Sequence, residues 1–65
     1  MKKITLKTAR MNARLTVEEV AKALDITALS IIRYEENTKK TPIYIFQKLC
    51  RLYNVSLDDI KYDTQ

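Results

Sequence analysis

Apolar residues recur at helical spacing along nearly the whole chain, and the polar residues between them fall where helices begin and end. The clearest case is residues 16–35, TVEEVAKALDITALSIIRYE. Thr16 and Glu19 form a capping box, so a helix is expected from Val17. Val17, Val20, Ala21 and Leu24 give it one buried stripe. Asp25 and Ile26 break the period, and Thr27 can cap a second helix over residues 28–35. There Ile31 and Tyr34 point inward, while Ala28, Leu29, Ile32 and Arg33 point elsewhere. So short a connection forbids an antiparallel pair and forces a steep crossing.

The flanks follow the same pattern. Residues 5–12 read as a first helix with Leu6, Ala9 and Arg10 on one stripe. An arginine there needs a partner if it is buried. Glu35, one turn after Ile31, is the best candidate, although both charges reaching solvent independently fits the spacing equally well. Leu15 precedes the Thr16 cap, where an apolar residue staples the helix entry. After Glu35 the loop ENTKKTP offers Asn37 as a left-handed helix cap. Thr41-Pro42 reads as cap plus first helical position. A fourth helix to about Tyr53 puts Ile43, Phe46, Leu49, Cys50 and Tyr53 at core spacing. Asn54 ends it, and Ser56 opens a capping box into a last short helix at 57–61. No strand signal and no repeat intervene, so the expected fold is all-α, one domain over residues 1–65, with five helices.

Composition narrows the chemistry. With 46% hydrophobic and 31% charged residues the 65-residue chain reads as a soluble globule rather than a disordered segment. No apolar run spans a bilayer, and the lysine-bearing N-terminus lacks the apolar core of a signal peptide. A single cysteine forbids an internal disulfide and makes a cytoplasmic location the default. The absence of histidine and glycine removes the usual metal ligands and general base, and every phosphate-cradling glycine loop. Glu18/Glu19, Glu35/Glu36 and Asp58/Asp59 are sequence neighbours that point apart on a helix, so none is an acid–base dyad. No enzyme, cofactor or metal is implied. The formal charge is +4 and uneven. Lys2, Lys3, Lys7, Arg10 and Arg14 precede any acid, Lys39 and Lys40 form a second basic spot, and Asp58, Asp59 and Asp63 crowd the tail. A polyanionic partner fits this asymmetry, and so does a merely solubilising surface.

These residues together resemble the phage repressor and Cro type of helix-turn-helix domain. The resemblance is carried by Leu6 with Arg10, then Leu15-Thr-x-Glu-Glu-Val-Ala-x-x-Leu, Ile26-Thr, Ser30-Ile31, Arg33-Tyr-Glu and a loop to Pro42. It closes with Leu49 through Tyr53 and Asn-Val-Ser-Leu-Asp-Asp-Ile. Each segment is common alone, whereas their order and spacing are specific. The resemblance implies a five-helix fold whose third helix enters the major groove of a double-stranded DNA operator. It also implies an Arg10–Glu35 ion pair tying the first helix to the third. A homodimer through the C-terminal helices is implied too, with Leu52, Leu57 and Ile60 available for it. Three positions where the family commonly has glycine hold Arg14, Asp25 and Asn37. The glutamine that often opens the second helix is Val17, whose backbone N–H can still approach a phosphate.

On this reading the base-facing residues are Thr27, Ala28, Leu29, Ile32 and Arg33. Thr16, Val17, Asn37, Thr38, Lys39 and Lys40 face the DNA backbone, with Lys7 or Arg14 helping. Only Arg33 makes a bidentate base contact, and the three aliphatic side chains can only pack on thymine methyls. The same apolar face supports a second reading: a helix-turn-helix repurposed to bind a protein, as an antirepressor or antitoxin-like partner, through Ala28, Leu29 and Ile32.

Overall fold

A computed structural model describes residues 3–61, so Lys2 and Asp63 of the uneven charge pattern lie outside it. Four α-helices follow one another: α1 (Leu6–Asn12), α2 (Val17–Leu24), α3 (Ala28–Glu36) and α4 (Ile43–Tyr53). Single 3-10 turns occupy Thr38–Lys40 and Leu57–Asp59. Helix α3 lies against α1 and α2, and α4 closes the other side of the same two helices.

Local chemistry places each start. The Thr5 hydroxyl accepts from the Thr8 N–H at 3.1 Å. The Thr16 hydroxyl accepts from Glu19 N–H at 3.1 Å, while Glu19 Oε1 takes the Thr16 N–H at 2.8 Å. Thr27 caps α3 by accepting from Ser30 N–H at 3.1 Å. Each bond satisfies a first-turn donor that has no helical carbonyl within reach.

The core gathers one face from every helix: Leu6 and Ala9, Val20 and Ala21, Ile31, and Ile45, Phe46, Leu49, Cys50 and Tyr53. Cys50 is a buried hydrophobe whose thiol pKa is pushed up by that burial and by the Asp59 carboxylate. Burial, and then the Glu35 carboxylate, raise the Tyr53 phenol well above its usual range, with Arg10 pulling weakly the other way.

Several expectations need correction. The fifth helix is one 3-10 turn, because Ile60 swings into extended geometry and makes a parallel bridge with Ile4. Ile4 N–H donates to Asp59 O at 2.9 Å and Lys61 N–H to Ile4 O at 2.8 Å. Ile60, only 1% exposed, belongs to the core and is not available to a dimer contact. In α4 the buried stripe runs through Ile45 rather than Ile43, which is 60% exposed. Ile43 lies in the first turn, roughly a quarter turn from the centre of that stripe. Pro42 is itself the cap of α4, with extended ψ of 142°, and its carbonyl takes the first helical bond from Phe46 N–H. The helix therefore starts one residue late for Thr41 to cap it. The Thr41 hydroxyl is buried without a hydrogen-bond partner.

Asn37 is not left-handed, with φ at −140°. Its carbonyl instead accepts from Lys40 N–H, carrying the chain straight into a 3-10 turn with no reversal to make. Left-handed geometry falls at Arg14 (φ 61°), Asp25 (φ 59°) and Asn54 (φ 59°). Asp and Asn tolerate it, but for arginine it costs about 1–2 kcal/mol. Arg14→Gly should therefore stabilise the domain by about 0.5–1 kcal/mol once the extra unfolded-state entropy of glycine is subtracted. Thermal unfolding followed by circular dichroism should show a midpoint raised by a few degrees. An unchanged or lower midpoint would mean that contacts of the Arg14 side chain offset the strain.

Candidate nucleic-acid interface

One charged cluster ties α3 to the first helix and to the connection after it. Arg10, on the inner side of α1, donates through Nε to Glu35 Oε2 at 2.7 Å and through Nη1 to the Leu15 carbonyl at 2.9 Å. The two side chains are 12% and 10% exposed. One guanidinium thus joins α1, the α1–α2 connection and the last turn of α3. With Ile31 buried and Tyr34 packed on the core, the opposite face of α3 is left outward.

That outward face is mixed. Leu29 is 56% exposed and Ile32 41%, and Arg33 beside them is exposed as well. Ala28 departs from the expectation: it is partly buried against the core and offers only an edge. Thr27 is exposed, but its hydroxyl already serves the α3 cap and shares a 2.9 Å hydrogen bond with Ser30 Oγ. It can donate outward only when Ser30 is the donor within that pair.

Beyond α3 the chain bends around a shallow hollow lined by Arg33, Tyr34, Glu36, Asn37 and Lys40. Two cations stand there against one carboxylate, so the side chains lining the hollow carry a small excess of positive charge. It unites three of the residues picked from sequence, Arg33, Asn37 and Lys40. Lys39 is exposed on the same turn. Thr38 is not part of the surface: it is 5% exposed inside the 3-10 turn, with its carbonyl accepting from Thr41 N–H.

At the start of α2, Thr16 is exposed and its hydroxyl hydrogen is not used by the capping box. Val17 packs partly on the core, leaving its backbone N–H as the group able to face an anion. Glu18 and Glu19 share that first turn, and their charge opposes a phosphate there.

Sequence reasoning gives Tyr34, which also lines the hollow, a core role alone, and it passes over Tyr44, exposed in the first turn of α4. The signal for Tyr44 was the periodicity of α4: a stripe through 45, 46, 49, 50 and 53 turns 44 outward. Tyr34 packs on the core and still reaches the hollow, as a tyrosine does when it buries its ring and leaves its hydroxyl end in water.

Among the described residues, no group of three or more histidine, cysteine, aspartate or glutamate side chains is placed to hold a metal ion, and no helix is long and apolar enough to cross a membrane. No significant match was found among curated proteins or solved structures. A family model described as helix-turn-helix matches residues 6–60. That family is one of DNA-binding regulatory domains rather than enzymes. The α2–α3 pair, its capped entries and the span of the match agree: the chain belongs to the helix-turn-helix family of the phage repressor and Cro type.

Proposed function

We propose that this domain is a sequence-specific transcriptional regulator that lays α3 in the major groove of a DNA operator. The observation that carries the proposal is the outward face of α3, where exposed Leu29, Ile32 and Arg33 run into the positive hollow of Arg33, Asn37 and Lys40. Base edges then meet Thr27, Leu29, Ile32 and Arg33, with the edge of Ala28. Phosphates meet Asn37, Lys39, Lys40, Thr16 and the Val17 N–H. A domain this small contacts too little DNA for high specificity, so it acts as a two-fold dimer. Its partly exposed Leu52 and Leu57 are suited to the dimer contact. The half-sites then lie about 34–36 Å apart.

Selection from random duplexes with a salt titration on the purified protein tests this. Affinity should fall by about 0.9 log unit per log unit of salt for each phosphate contacted. Binding no tighter than millimolar at low salt would end the proposal.

The exposure of Leu29 and Ile32 favours one alternative, a protein partner docked on the same face. Leu29→Lys separates the two. It leaves an exposed position and hence the fold intact, and it abolishes a protein complex seated there. A complex that survives it rules the alternative out.

A further inference from the structure

The outward face of α3 combines apolar surface with a single strong donor, and that combination specifies a kind of base. Leu29 and Ile32 have no hydrogen-bonding side-chain groups. Neither can satisfy the O4 acceptor of thymine or the N4 donor of cytosine, so a pyrimidine is visible to them only through a methyl group at C5. Arg33 has the opposite character. Its planar fork matches the paired O6 and N7 acceptors of guanine.

The helix fixes how far apart these two preferences lie. Leu29 and Arg33 are one turn apart on one ridge, with Cβ atoms about 5–6 Å from each other. Long side chains on a helix lean toward its N-terminus, which carries the guanidinium back over the turn that bears Leu29. Four residues advance about 6 Å along the axis, under two base-pair steps of about 3.4 Å. Ile32 falls between them.

We propose that this face reads a 5-methylpyrimidine, whether thymine or 5-methylcytosine, within two base pairs of a guanine. The inference rests on the DNA-binding reading above and names what that site selects. The occupant is a duplex rather than an apolar protein surface because the patch ends at Arg33 and the positive hollow with Lys40. The basic segment of Lys3, Lys7 and Arg14 adds to the attraction for a polyanion. An apolar partner would instead leave the excess positive charge of that hollow unmatched.

The test uses the duplex that emerges from selection, with one base changed at a time. Replacing a contacted thymine by deoxyuridine removes only the methyl and should weaken binding about fourfold, the worth of one buried methyl-sized group. Replacing that T·A pair by C·G should weaken it further. Methylating the new cytosine at C5 should recover about fourfold. Leu29→Ala, at an exposed position that leaves the fold intact, should shrink the thymine-to-deoxyuridine ratio toward one at the pair Leu29 touches. If the selected duplex is bound specifically but deoxyuridine and unmethylated cytosine do as well as their methylated forms, the methyl inference is overturned and the DNA-binding reading stands. If no duplex is bound specifically, both fall together.

Discussion

Glu35→Ala is expected to lower the unfolding free energy by about 3 kcal/mol, near the lower bound for breaking a buried ion pair from one side. The reason lies in what is left behind. Arg10 keeps its bond to the Leu15 carbonyl, but its Nε–H loses its acceptor in a site only slightly open to water. A domain of this size has a total stability of roughly 3–10 kcal/mol, so the loss is a large share of the whole. Urea denaturation followed by helical circular dichroism reads it directly. Replacing both partners by apolar residues of similar size, Arg10→Met with Glu35→Leu, should be much milder, because no charge is then left unpaired. If Glu35→Ala costs less than about 0.5 kcal/mol, the pair behaves like an exposed surface bridge and does not fix α3.

Arg33→Ala is expected to weaken binding to the selected operator about 10- to 100-fold, the equivalent of one bidentate guanine contact. Arg33 is the only outward side chain on α3 with a forked donor, so no neighbour can substitute for it. Affinity for random duplex should fall far less, since Lys39 and Lys40 remain. Preference at a single guanine position should flatten while the rest of the site is read as before. Fluorescence anisotropy on matched operator and scrambled duplexes separates these terms. Equal losses on both would reduce Arg33 to a phosphate contact.

Much of the architecture is legible from local chemistry alone. Thr16 with Glu19, Thr27 and Ser56 announce their elements because a hydroxyl two or three residues before a free N–H acts over a few ångströms, with no help from the rest of the fold. What is missed depends on distant partners. The stretch after Ser56 carries a good helical start, yet Ile60 is captured by Ile4 from the far end of the chain. Ile43 fits an apolar period, but how far the core extends along α4 is decided by α1 and α2, not by α4 itself. Asn37 is a suitable left-handed residue in a place where the chain does not reverse. The spacing of Arg10 and Glu35 leaves their pairing open, the family resemblance implies it, and the fold brings them to 2.7 Å. The outward residues of α3 follow from period, except Ala28 at the margin. The hollow beside Arg33 is not legible, because it depends on how the 38–40 turn packs beside the end of α3.

The Ile4–Ile60 bridge also couples the two ends of the described fold to each other. It closes a loop over almost the whole described length, only somewhat longer than the loops closed where α1 packs on α4. Because closure entropy grows only as the logarithm of loop length, the bridge costs little more to close than that helix contact. The two ends then behave as a single latch. Opening at either one strips the other of its backbone bonds and uncovers Ile60, a side chain otherwise sealed in the core.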